Sequence, residues 1–174
     1  MEIRPLQPQD DRSRFSSGDA DLDRFFSKYA GQNQFKHHIG TTYVAVESGT
    51  IWGYGTVSMA HIEVDALPES LAKRLPRYPL PVLRLARLAV AEQGQGKGVG
   101  SALLFAVFGL ALSQADAVGC VGVVVDAKPH AVAWYTRFGF APMPVLEGGS
   151  SARPVPTPMF LALTTVRAAI ASDE

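Results

Sequence analysis

The run Gln95-Gly96-Lys97-Gly98-Val99-Gly100 constrains this chain more than any other segment. It joins a strand-like stretch, Leu85 to Val90, to an apolar helix-like one, Ser101 to Leu112. Glycines let the backbone turn sharply with no Cβ in the way, so several N–H groups can converge on one anion, and the helix that follows adds the partial positive charge of its N-terminus. A strand, a glycine loop and a helix in that order form a pyrophosphate cradle, and they place the chain among α/β folds.

Glycine spacing decides which pyrophosphate. A P-loop needs Gly at 91 and Ser or Thr at 98, where the chain has Ala91 and Gly98. A dinucleotide fingerprint starting at Gly94, Gly96 or Gly98 needs its third glycine at 99, 101 or 103, and those positions hold Val99, Ser101 and Leu103. The pattern that fits is Q/R-x-x-G-x-G, met by Gln95, Gly98 and Gly100 directly after Arg87-Leu88-Ala89-Val90. This resembles the acetyl-CoA motif of the GNAT acetyltransferase superfamily.

The remaining elements follow from periodicity. Met1 to Leu6 reads as a strand, and Leu22, Phe25, Phe26 and Tyr29 lie at i, i+3, i+4 and i+7, one apolar helix face. Thr41 to Glu47 and Ile51 to Met59 alternate and are β-branched, with Ser48-Gly49 as a hairpin turn between them. A short helix begins near Leu67-Pro68, Pro81 to Val90 is a strand, and a helix runs from Gly98 to about Gln114. Gly119 to Val125 reads as a strand buried on both faces. His130 to Phe138 reads as a helix stopped by Gly139, Phe140 as the start of a strand, Glu147 to Pro158 as a loop, and Met159 to Thr164 as a last strand. The expected architecture is one α/β domain over residues 1–174, with a mixed sheet of six to seven strands and helices on both faces.

Composition excludes several classes. Hydrophobic residues make up 47% of the 174 and charged residues 18%, which argues for a compact globule rather than a disordered chain. The charged start Met1-Glu2-Ile3-Arg4-Pro5 has no apolar export core, so a cytoplasmic location is expected. The longest apolar run, Ala102 to Leu112, covers about half of the roughly 20 residues a membrane span needs. The single cysteine, Cys120, falls in an apolar run and reads as a core residue. No set of His, Cys and acidic residues has metal-ligand spacing, so no metal is expected.

Net charge is zero, with 16 Lys and Arg against 16 Asp and Glu. Between Ala66 and Val90, however, Lys73, Arg74, Arg77, Arg84 and Arg87 stand against the one acid Glu69. With Lys36, His37 and His38, part of this cluster is a candidate patch for phosphates; a solvated surface gives the same pattern.

The resemblance extends along nearly the whole chain. Asp21-Leu22-Asp23-Arg24-Phe25-Phe26, Ile51-Trp52-Gly53-Tyr54, Leu75-Pro76-Arg77-Tyr78-Pro79, Val125-Asp126-Ala127-Lys128 and Trp134-Tyr135-Thr136-Arg137-Phe138-Gly139-Phe140 are similar to the TacT and AtaT type of GNAT protein. Members of that type are toxins of toxin-antitoxin pairs that acetylate the amino group of aminoacyl-tRNA. The resemblance implies a splay between the strands at 81–90 and 119–125 that admits the pantetheine arm of acetyl-CoA. It also implies that Gln95, Gly96, Lys97, Gly98, Val99, Gly100 and Ser101 hold the coenzyme's diphosphate while Leu88, Ala89 and Val90 pair with pantetheine. Tyr135 matches the residue that protonates the departing thiolate, and Lys36, Lys73, Arg74, Arg77 and Arg84 are candidates for contact with tRNA. A homodimer and a ribbon-helix-helix antitoxin partner are further implications.

The strand before the loop, Pro81 to Arg87, carries no carboxylate to act as general base, although His61 or Glu63 acting through water is an alternative. An α-amine with a pKa near 8 is roughly a tenth neutral at pH 7, whereas a lysine amine near 10.4 is under about 0.1% neutral. The absence of a base thus suits an α-amine. Two other readings fit the same motif: transfer to a small-molecule or peptide amine, and a non-catalytic acyl-CoA-binding module.

Overall fold

The computed structural model describes residues 1–143 and 155–172. Among the described residues, seven strands form a sheet in the order β1-β2-β3-β4-β5-β7-β6: β1 is Glu2–Pro5, β2 Thr41–Glu47, β3 Thr50–Ile62, β4 Leu80–Val90, β5 Gly122–Ala127, β6 Ala141–Pro142 and β7 Thr157–Ala162. The helices are α1 (Ala20–Arg24), α2 (Glu69–Ala72), α3 (Val99–Ala117), α4 (Val132–Arg137) and α5 (Leu163–Ala171). The chain clusters into two compact units, residues 1–58 with 85–107 and residues 59–84 with 108–174.

In the first unit, β1, β2 and the start of β3 pair antiparallel. Ser48 and Gly49 turn the β2–β3 hairpin with φ of 50° and 77°, the two positive angles that match a two-residue turn to strand twist. Strand alternation sends successive residues to opposite faces, and both faces are covered. On one, Val44, Tyr54 and Ala89 pack with Leu6, Phe25, Phe26 and Ala30; on the other, Ala45 packs with Val99 and Leu103, flanked by Leu88 and Val90.

The helix after Asp19 departs from simple periodicity. Asp19 caps it, accepting from the N–H groups of Asp21 and Leu22 at 3.1 and 3.2 Å. Beyond Arg24 the chain widens into π turns at Phe25–Tyr29 and Gln32–Lys36, with Ala30 N–H bonded to the Phe25 carbonyl and His37 N–H to that of Gln32. The wider turn moves the buried face by a residue. Phe25, Phe26 and Ala30 are buried, whereas Tyr29, expected on that face at i+7, is 46% exposed.

In the second unit, β5 and β6 each pair antiparallel with β7, and Val64, Leu67, Leu80, Val82, Val124 and Phe160 form a core. Several boundaries differ from the sequence expectation; β3, for one, runs to Ile62 rather than Met59. Gly119, at φ 100°, ends α3, so β5 starts at Gly122 rather than 119. The last strand ends at Ala162 and is followed by α5, which the β-branched run Thr164-Thr165-Val166 conceals in the sequence. Of the expected loop at 147–158, residues 147–154 lie outside the described residues; Thr157 and Pro158 already belong to β7. Helix α3, at 19 residues, is long and apolar enough to cross a membrane by length and composition, and Val99, Leu103, Leu104, Val107, Phe108 and Ala111 along it are buried within the protein. Cys120 is buried and its thiol donates to the Gly122 carbonyl at 3.2 Å, in keeping with a core residue.

Candidate active site

The glycine loop lies in the first unit, where β3 fixes its start and α3 its end. Ala91 N–H bonds to the Trp52 carbonyl at 2.9 Å, Gly94 N–H closes a tight turn onto Ala91 at 2.8 Å, and Ala102 N–H starts α3 by bonding to Gly98 at 3.0 Å. Gly96 and Gly98 adopt φ of 76° and 82°, angles that L side chains resist by about 1–2 kcal/mol. A Cβ at either position would meet nothing within 4 Å, so the backbone angle and not packing requires glycine there.

The outcome is a fan of donors. The first N–H groups of a helix have no partner within it, and among the described residues the N–H groups of Gly96, Gly98, Val99, Gly100 and Ser101 have no acceptor. Lys97 is exposed beside them and adds a positive charge. This arrangement fits a diphosphate: several uncommitted N–H donors, a helix N-terminus and open space around two positive-φ glycines. Leu88 and Val90 are half-buried and face the α3 side, while Ala89 is buried toward α1.

Close approach of the elements holds the loop in place. At Gly53 in β3, an added Cβ would lie 2.9 Å from Leu103 and Val99 side-chain carbons and 3.0 Å from the Ala89 carbonyl oxygen. Only glycine lets β3, β4 and the first turns of α3 come this close. A cavity of about 260 Å³ in the same unit is lined by Phe15, Ser16, Trp52, Ala91, Glu92 and Gln93, and by none of residues 95–101. The donor fan, rather than that cavity, is the feature built for an anion.

Tyr135 lies in the second unit, on α4, with a relative exposure of 7%. Its ring meets Trp134 edge-on at 5.0 Å and Phe140 at 5.3 Å, and burial pushes its phenol pKa upward. The chain offers a useful contrast in Tyr54, which is fully buried and likewise shifted upward by burial. The Tyr54 hydroxyl donates to the Leu22 carbonyl at 2.6 Å, as a structural tyrosine should. That of Tyr135 makes no hydrogen bond among the described residues. A buried phenol that keeps its proton and leaves its hydroxyl uncommitted is chemically suited to donate.

The basic candidates divide by their partners. Lys73 pairs with Glu69 at 3.4 Å and Arg84 pairs with Asp126, so both are partly neutralised. Arg74 and Arg77 are exposed and make no ion pair among the described residues. Lys36 ends the second π turn in the other unit. His61 and Glu63, the alternatives for a base, are both exposed. No group of His, Cys, Asp and Glu that could hold a metal occurs among the described residues.

Sequence reasoning missed the segment Ser16 to Gly18. It bonds to the glycine loop through Glu92 and Gln95, at a separation of 78 residues for the latter. The single local signal was the turn-forming Ser17-Gly18-Asp19.

Comparison with known proteins follows the same lines. Residues 38–142 match the Acetyltransferase (GNAT) domain family. A tRNA-acetylating toxin of Mycobacterium tuberculosis is 31% identical over 138 residues, covering 79% of this chain and 82% of that protein. Among solved structures, AtaT complexed with acetyl-methionyl-tRNAfMet is 26% identical with a TM-score of 0.82, covering 97% of this chain and 98% of that one. AtaTR bound with AcCoA is 27% identical with a TM-score of 0.77, covering 97% of each.

Proposed function

The chain belongs to the GNAT acetyltransferase family, and from that premise we propose that it transfers acetyl from acetyl-CoA to the α-amino group of aminoacyl-tRNA, as the toxin of a toxin-antitoxin pair. The observation that carries the reading is the donor fan at Gly96 and Gly98 to Ser101, set directly after β4. Its chemistry suits the diphosphate of CoA, and the matched relatives include a tRNA-acetylating toxin and an AtaT complex with acetylated tRNA.

In this reading the backbone from Gln95 to Ser101 binds the diphosphate, and Leu88, Ala89 and Val90 offer main-chain groups to the pantetheine arm. A main-chain N–H aimed at the carbonyl oxygen where negative charge develops stabilises the transition state. Tyr135, protonated throughout the physiological range, gives its proton to the sulfur as the carbon–sulfur bond breaks, and thereby makes the thiolate a neutral leaving group. The acceptor is an amine already partly neutral, so it attacks without a dedicated base; the proton it sheds as the amide forms passes to solvent, from which Tyr135 regains its own. Arg74 and Arg77 contribute phosphate contacts, with Lys36, Lys73 and Arg84 in lesser roles. Residues 1–174 act as one catalytic domain, and a homodimer and a ribbon-helix-helix antitoxin belong to the same proposal.

Incubation with acetyl-CoA and a mixture of charged tRNAs, polyamines and peptides, read by mass spectrometry, tests the acceptor. The reading expects the acetyl group on the aminoacyl end of tRNA. Acetyl found only on a polyamine or peptide contradicts it.

A further inference from the structure

Tight turns within the diphosphate loop bond Gly94 to Ala91, Gln95 to Glu92 and Lys97 to Gly94, but among the described residues none of them engages the N–H of Gly96 or Gly98. Gly96 and Gly98 reach positive φ freely, but they reach negative φ as freely, and a loop that must be ordered by its ligand binds more weakly than one ordered beforehand. Further order comes from residues far away in sequence. Ser16 offers its carbonyl to the Glu92 N–H at 2.9 Å, and Ser17 offers its carbonyl to the Gln95 side-chain amide at 3.0 Å. That same amide donates to the Val90 carbonyl at 3.1 Å, so one side chain ties the end of β4, the loop and the N-terminal segment together. Gly18 completes the contact: at φ 88°, its Cβ position lies 3.0 Å from the Glu92 carboxylate.

The segment is anchored in turn. Asp23 Oδ1 accepts from both the N–H and the hydroxyl of Ser17, at 2.9 and 2.7 Å, and the Ser17 hydroxyl accepts from Asp19 N–H at 3.2 Å. Asp19 is also the cap of α1. A continuous hydrogen-bonded route therefore runs from α1 through Ser17 to the loop.

We propose that Ser16–Gly18 is a strap that presets the glycine loop for the coenzyme diphosphate, with Gln95 and Asp23 as its positioning residues. The proposal rests on the acetyl-CoA reading. Neither side chain is assigned a contact with the reacting atoms; each acts through the loop. The Asp23 carboxylate gives the idea a distinctive sign. Removing a negative charge near an anion site tightens anion binding by electrostatics alone, whereas loss of the anchor weakens it.

The test is isothermal titration with acetyl-CoA, alongside steady-state kinetics, on wild type, Gln95→Met, Asp23→Ala and Asp23→Asn. Gln95→Met and Asp23→Ala should each raise Kd and KM for acetyl-CoA by about fivefold to tenfold, the scale of a lost hydrogen bond. The loss falls in KM rather than in kcat at saturation, the split expected of weakened coenzyme binding. Asp23→Asn keeps the accepting oxygen and should recover most of the affinity. Gln95 is exposed, so Gln95→Met decides the matter even if Asp23→Ala does not fold. Unchanged coenzyme affinity in folded Gln95→Met and Asp23→Ala, with wild type binding, overturns the strap alone. No binding by wild type overturns the acetyl-CoA reading and the strap with it.

Discussion

Two tyrosines divide the labour of buried phenols in this chain. Tyr54 spends its hydroxyl on the Leu22 carbonyl and stacks on Phe26 at 4.4 Å, whereas the Tyr135 hydroxyl makes no such commitment among the described residues. Tyr135→Phe removes only the oxygen, so the ring contacts with Trp134 and Phe140 persist. Acetyl transfer should fall by about a hundredfold or more, the usual scale for loss of a general acid, with acetyl-CoA affinity by calorimetry nearly unchanged. The pH dependence of stability tests the burial of both phenols. Their folded pKa values are raised, so below about pH 10, the ordinary tyrosine value, both folded and unfolded states carry the proton. Above it the unfolded chain ionises first, binds fewer protons than the folded one, and stability falls as pH rises. Denaturant titrations should show that decline, shallower in Tyr135→Phe than in wild type; equal slopes would contradict the burial of Tyr135.

At the scale of elements, the meeting of β3, β4 and α3 at Gly53 sets where the loop starts. Gly53→Ala forces a Cβ to 3.0 Å from the Ala89 carbonyl oxygen, a backbone atom that cannot swing away. It should destabilise the fold by about 1–3 kcal/mol in denaturant titrations, the range for overpacking. The loop itself was legible in the sequence because its chemistry is local: glycine spacing, a strand before and a helix after. So were the β2–β3 hairpin and the long apolar α3. The π turns after Arg24 were not, because an i+5 bond leaves no mark on a period-3.6 pattern; Tyr29 was assigned to the core for that reason. Helix α5 was hidden by Thr164-Thr165-Val166, whose strand preference yields to tertiary context. The strap was illegible because Ser17 and Gln95 are joined only by folding. Tyr135 looks like any core aromatic, and only the family resemblance singled it out.

At the scale of the whole molecule, zero net charge means that, under the proposed function, tRNA would be held by a few phosphate contacts rather than by a broad field. Lys73 and Arg84 are already paired with Glu69 and Asp126, which leaves Arg74 and Arg77 as the stronger candidates. Arg74→Ala with Arg77→Ala should raise KM for aminoacyl-tRNA while leaving acetyl-CoA affinity intact. The salt dependence of tRNA binding should lose a slope of about 2, roughly 1 for each phosphate contact removed. An unchanged salt slope would assign tRNA contact to another surface. The central claim, that the loop after β4 is a coenzyme cradle serving Tyr135, is met most directly by a crystal structure of the protein with acetyl-CoA. The account predicts the diphosphate on the N–H groups of Gly96 and Gly98 to Ser101, with the sulfur within hydrogen-bond reach of the Tyr135 hydroxyl. A diphosphate bound elsewhere, or a sulfur remote from that hydroxyl, would contradict it.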